Sequence, residues 1–183
     1  HYAKLQENII SLLDQADLTL ADLTLVCGEN NTGKTYATYA VYGFLRSWRG
    51  ILRYVIEDEI DNLLKDDNQN RIDLAAMFDG KVDDYLARLG REYVSGLPRA
   101  FATDSNVFEH TVCVPSTCRD TDLLTQPYQR RVQSGPSGKV LATLNKEAGS
   151  AVLEVLVADA EVLQRPFGGL SDFIADAIAD IVF

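Results

Sequence analysis

Residues Gly28 to Thr35 read GENNTGKT, which fits the spacing G-x-x-x-x-G-K-[ST] at every fixed position. A loop of this kind curls so that successive backbone N–H groups converge on a phosphate chain. Gly28 lets the chain leave the preceding run sharply, and Gly33 lets the backbone approach a phosphate with no side chain in the way. Lys34 offers a point charge to the β- and γ-phosphates, and Thr35 offers its hydroxyl to Mg²⁺. The expected nucleotide-binding set is therefore Gly28, Glu29, Asn30, Asn31, Thr32, Gly33, Lys34 and Thr35, with Thr35 on the metal. A helix opening near Gly33 would aim its positive end at the same anion. The motif asks for a strand before it and a helix after it. Leu23 to Cys27 is a β-prone run, and the pattern after Thr35 is helical to about Trp48, with Gly50 placed for a C-cap.

The remaining chain predicts an α/β protein with helices and an antiparallel β-hairpin. The opening residues read as an amphipathic helix through Leu5, Ile9, Leu12 and Leu13. Residues 17–50 carry strand, loop and helix, and residues 51–100 form a helical insertion. Within it, Ile56, Ile60, Leu63 and Leu64 make a buried stripe opposite the acidic face Glu57, Asp58, Glu59, Asp61, Asp66 and Asp67, read as solvated. A second helix runs from about Asp83 to Gly96, burying Tyr85, Leu86, Leu89 and Tyr93, and Pro98 ends it. Residues 107–160 are mainly β: FEHTVCV alternates, residues 117–138 form a polar connection, and two strands flank the turn Glu147 to Ser150. From Ser171, an expected N-cap, a helix begins with Phe173, Ile174, Ala177, Ile178 and Ile181 on its apolar face.

Charge and cysteine content restrict the partners. Against 17 Lys and Arg stand 27 Asp and Glu, a net charge of −10 over 183 residues, which opposes direct nucleic-acid binding. No apolar run is long enough for a membrane span, and no signal peptide opens the sequence. Cys27, Cys113 and Cys118 make no disulfide framework, so a cytoplasmic setting is expected. The chain opens on His1 and ends on Ile181, Val182 and Phe183, so it is expected to be the N-terminal part of a longer, here incomplete, domain.

The pattern Gly28-x-Asn30-x-x-Gly33-Lys34-Thr35, within LTLVCGENNTGKTYATYAVYGFL, resembles the ATPase heads of the SMC/RecF/OLD branch of ABC-type ATPases. It looks most like the bacterial OLD-like AAA-family ATPases, many of which sit in phage-defence operons. Residues 1–50 carry the resemblance, and LPRAFATDSNVFEHTVCV carries it more weakly. It implies a P-loop NTPase fold of the ABC/SMC-head kind with a mixed sheet, ATP and Mg²⁺ as cofactors, and hydrolysis at the interface of a homodimer or higher oligomer. It also implies regulation of a nuclease or other effector in DNA-linked or antiviral defence. The sequence departs from the family in lacking a contiguous Asp-Glu pair after an apolar strand. Asp159 and Glu161 in VLVADAE are the nearest candidates, and no L-S-G-G signature is present. The catalytic residues are therefore left unassigned.

Other constellations are weaker. His110, Cys113 and Cys118 lack the spacing and fourth ligand of a zinc site and read as small strand side chains. Asn145-Lys146 begins an N-K-x-D pattern, but Ala148 stands where Asp is required. Tyr36, Tyr39 and Tyr42 read as core packing of the first helix, with an aromatic shelf for adenine as the alternative. Arg119, Arg130 and Arg131 read as solvated loop cations, with contact to a phosphate or a partner as the alternative. Two other functions stay open: a small-molecule P-loop kinase, with CRDTDLLTQPYQRR as lid, and a nucleotide-sensing scaffold with little turnover.

Overall fold

The computed structural model describes residues 4–9, 13–19, 24–29, 32–65, 71–116, 126–134, 138–158 and 169–182. Its elements, in order, are β1 (Lys4–Ile9), β2 (Leu13–Thr19), α1 (Lys34–Lys65), β3 (Arg71–Asp73), α2 (Leu74–Phe78), α3 (Val82–Ala100), β4 (Tyr128–Ser134), β5 (Lys139–Lys146), β6 (Val152–Val157) and α4 (Leu170–Val182). The class is mixed α/β, but the four-stranded sheet is antiparallel throughout rather than the mixed sheet expected. Two compact units are formed, His1–Leu52 with Asp83–Cys118, and Arg53–Val82 with Arg119–Phe183.

In the first unit β1 and β2 pair antiparallel, with Leu5 opposite Leu18 and Ile9 opposite Leu13. This corrects the helix predicted for the opening residues. A spacing of four, as from Leu5 to Ile9, marks one face of a helix but, being even, is also compatible with a strand. The adjacent run Leu13–Thr19 supplies the pairing partner that decides between them. α1 starts at Lys34 and passes through Gly50, where a helix end was expected. A glycine inside a helix costs only about 1 kcal/mol relative to alanine, less than the apolar burial on either side of it contributes. Ala37, Ala40 and Phe44 form the buried stripe of the early turns.

α3 carries Asp83 and Asp84 in its first turn and Arg99 in its last, each sign facing the favourable end of the helix dipole. It buries Tyr85, Leu86, Leu89, Gly90, Tyr93 and Leu97. It also runs two residues past Pro98, whose carbonyl accepts a hydrogen bond from the N–H of Thr103. Tyr93 joins α3 to α1: its hydroxyl donates to the Ala40 carbonyl, and its ring meets Phe44 edge-on at 5.3 Å. After a 3-10 turn at Ser105–Phe108, the stretch predicted as a strand carries no ladder. Thr111, Cys113 and Pro115 are nevertheless buried while Val112 and Val114 are exposed. The alternation is real, but its partner is a helix: the Cys113 carbonyl sits against Gly90 of α3.

The second unit contains the sheet, in the order β3-β6-β5-β4. The predicted hairpin is β5 and β6, with Gly149 at φ 76° in its turn. Register places Ile72, Leu153, Val155, Leu144, Ala142 and Val132 on one face, and all six are buried. The other face carries Arg71 paired with Glu154 at 3.3 Å, then Asn145 and Gln129 in line across the strands. β4 falls in the stretch expected to be a connection. α4 lies against β4 and β5 and buries Ile174, Ala177 and Ile178. Ser171 is not its cap, because the Gly169 carbonyl already accepts from the Phe173 N–H; the Ser171 hydroxyl donates to Asp61 at 2.8 Å. Asp172, Asp176 and Asp180 recur every four residues along α4 and meet Arg53 and Arg130.

Of the acidic face predicted on residues 53–67, Glu57 and Asp58 are exposed, Glu59 pairs with Lys81, and Asp61 receives Ser171. Asp66 and Asp67 lie outside the described residues.

Candidate functional site

The segment entering the loop, Thr24–Glu29, is in neither helix nor strand and is exposed throughout, Leu25 by 76%. The strand predicted over Leu23 to Cys27 is thus absent for Thr24 to Cys27, and Cys27 is exposed. A β-prone run becomes a strand only where a neighbour satisfies its ladder hydrogen bonds. The described ladders join β1 with β2 and β3 through β4, and none includes these residues.

The loop is closed by its own residues. The Lys34 ammonium donates to the Gly28 carbonyl at 2.8 Å and to the Glu29 carbonyl, and lies 3.4 Å from the Thr32 hydroxyl oxygen. The Thr32 hydroxyl in turn donates to the Glu29 carbonyl at 2.9 Å. These bonds fasten the helix end of the loop to its beginning. Gly33 sits at φ 78°, a left-handed conformation that a side chain would make costly. A Cβ at Gly28 would lie 3.3 Å from Thr32 Oγ1, a tight approach, and 3.7 Å from Lys34 Cδ, an ordinary contact.

α1 opens directly on this curl. Its first internal bond is Ala37 N–H to Gly33 carbonyl at 3.0 Å, so the N–H groups of Lys34, Thr35 and Tyr36 precede the helical ladder. No acidic side chain occupies the first turn, and Thr35 is exposed. An ammonium held on loop carbonyls and a helix N-terminus with no acidic side chain thus belong to one short segment, and a helix N-terminus is suited to an anion. Asn30 and Asn31 lie outside the described residues. Among the described residues no group of three or more His, Cys, Asp or Glu side chains could hold a metal. A Mg²⁺ at Thr35 would take its other ligands from phosphate oxygens and water, as this ion commonly does. Lys34 and Thr35 are the described residues whose side chains could hold a Mg²⁺–phosphate group.

The tyrosines depart from the core packing expected of them. Tyr36, Tyr39 and Tyr42 are 40%, 61% and 60% exposed. Residues three apart drift steadily around a helix, so these rings share no narrow stripe; Ala37, Ala40 and Phe44, spaced by three and four, do. Tyr36 alone of the three has a described ring partner, stacking on Phe101 with centroids 6.3 Å apart and planes 26° apart. Phe101 leans on buried Phe108 at 5.7 Å. Sequence reasoning did not join these rings, although both phenylalanines stand in the LPRAFATDSNVFEHTVCV stretch.

The other sequence candidates are not brought to the loop by any described contact. Asp159, Glu161, Arg119 and Cys118 lie outside the described residues, as does most of the supposed lid. His110 is exposed and Cys113 buried. Arg130 is no loop cation: it stands on β4, pairs with Asp176 and Asp180, and lies over Phe173. Arg131, also on β4, is exposed. Lys146 ends β5 fully buried, its ammonium donating to the Gln126 carbonyl. No described helix is long and apolar enough to cross a membrane. Set against protein-family models, curated proteins and solved structures, the chain matches none of them.

Proposed function

We propose that this chain binds ATP with Mg²⁺ at Gly28–Thr35, as the nucleotide-binding portion of an ABC-type ATPase of the OLD/SMC kind with a P-loop NTPase fold. One observation carries the reading. Lys34, in the first turn of α1, is bonded to the carbonyls of Gly28 and Glu29, so the loop is held curled beneath a helix N-terminus. An ammonium has three donors. Lys34 can keep a loop carbonyl and still give a hydrogen bond to a phosphate oxygen. The N–H groups of Lys34, Thr35 and Tyr36 then take the phosphate oxygens nearest the helix, and Gly33 leaves room for them. A bound Mg²⁺ neutralises charge on the phosphates. Thr35 supplies its protein ligand.

The wider role rests on the resemblance of the loop and its flanks. On that reading, ATP is hydrolysed between two associated heads, and turnover regulates a nuclease or other effector in DNA-linked or antiviral defence. The direct test is Mg²⁺-ATP binding by calorimetry to the protein and to Lys34→Ala. Charge-assisted hydrogen bonds are worth about 1.5–3 kcal/mol, so the variant should bind at least about tenfold more weakly. Equal affinity would remove Lys34, and the proposed cradle with it.

A further inference from the structure

We infer that Tyr36 is the base platform of this site, so that the loop selects a nucleotide with a planar base over bare polyphosphate. The inference rests on the phosphate-binding reading above and assigns the other end of the ligand. Tyr36 follows Thr35 directly, in the first turn of α1. Side chains on a helix lean toward its N-terminus, which here means toward the loop. The Tyr36 ring is not loose: it stacks on Phe101, and Phe101 is braced by Phe108, which is 3% exposed. Three rings thus run from the core of this unit outward and end on Tyr36, two fifths of which remains accessible.

A ring held from behind loses little freedom when a second planar group stacks in front of it, which is what makes such a platform effective. Tyr39 and Tyr42 are more exposed, but no described ring stacks behind either, so neither is braced in this way. Stacking accepts any base, because every base has a π-face. The site should therefore recognise a nucleoside triphosphate as a class and discriminate weakly between adenine and guanine.

The experiment measures Mg²⁺-ATP and Mg²⁺-tripolyphosphate binding side by side, for the wild-type chain, Tyr36→Ala, Tyr36→Phe and Lys34→Ala. Removing a stacked aromatic partner costs about tenfold in affinity. Tyr36→Ala should lose that factor for ATP and keep its tripolyphosphate affinity, and Tyr36→Phe should match wild type for both. Loss of both ligands by Tyr36→Ala, or of neither, would overturn the platform. Lys34→Ala addresses the phosphate reading separately: it should weaken both ligands together, and unchanged tripolyphosphate binding would remove the cradle instead. Far-ultraviolet circular dichroism and the thermal midpoint identify any variant that fails to fold. In that case, contacts between adenine H2 or H8 and the Tyr36 ring in nuclear Overhauser spectra of the wild-type complex decide the matter, their absence refuting the stack.

Discussion

Four glycines of this chain sit inside α1 and α3, and substituting alanine should produce opposite signs at two of them. A Cβ built on Gly90 would lie 2.1 Å from the Cys113 carbonyl oxygen and 3.0 Å from Pro115 Cδ. Ordinary van der Waals contact needs the segment 111–116 to retreat from α3 by about 1 Å, unseating Thr111, Cys113 and Pro115. Overpacking of this kind costs about 1–3 kcal/mol, and a backbone carbonyl, unable to rotate away, places the cost near the top of that range. The helix itself gains about 1 kcal/mol from Gly→Ala. Gly90→Ala should therefore lose about 2 kcal/mol net. Gly50→Ala is the matched control, since a Cβ at Gly50 meets nothing within 4 Å; it should gain about 1 kcal/mol. Urea unfolding with linear extrapolation measures both. If Gly90→Ala is as stable as wild type, the close approach of Cys113 to α3 is refuted. If Gly50→Ala is destabilised, the open surroundings of Gly50 are.

Two further outcomes concern the second unit. Asp176 bonds Arg53 at 2.7 Å and faces Arg130 at 3.7 Å, so Asp176→Asn should cost about 1 kcal/mol, as partly exposed ion pairs do; the cost should shrink in 1 M salt, and a salt-independent loss would mean that charge is not its source. Burial, followed by the nearby Asp180 carboxylate, raises the Tyr128 phenol above its ordinary value. The unfolded chain then gives up this proton at lower pH than the folded chain, so stability is lost as pH rises past about 10. Tyr128→Phe should remove that part of the loss, and a stability difference from wild type that stays constant between pH 8 and 11 would contradict it.

What the sequence disclosed, and what it withheld, follows from how local each interaction is. α3 was legible because its apolar residues recur over nineteen positions with acids at one end and Arg99 at the other. The β5–β6 hairpin was legible because Gly149 marks its turn between two alternating runs. The opening hairpin was not, since a spacing of four fits both helix and strand. β4 was missed for a different reason. Gln129, Arg131 and Gln133 face outward, and Arg130, on the inner side, is made compatible with burial by Asp176 and Asp180, about fifty residues away in sequence. A polar stretch whose charges are matched by a distant helix looks like a loop until that helix is in place.

The loop shows the same principle from the other side. Each described bond that shapes it joins residues no more than six apart: Lys34 to Gly28 and Glu29, and Thr32 to Glu29. Gly33 supplies the one backbone conformation that such a short circuit needs. The fastening is therefore a property of Gly28, Glu29, Thr32 and Lys34, and it forms although Thr24–Glu29 joins no described strand. This separates two inferences that the motif invites together. From the described residues of GENNTGKT to a loop fastened beneath a helix, the bonding is local. The step from that loop to a particular sheet is not local, because the loop bonds between Gly28, Glu29, Thr32 and Lys34 reach no strand. A phosphate-binding test thus examines the first inference alone. The wider ATPase reading needs what the loop cannot supply: carboxylates that polarise water, and a second head.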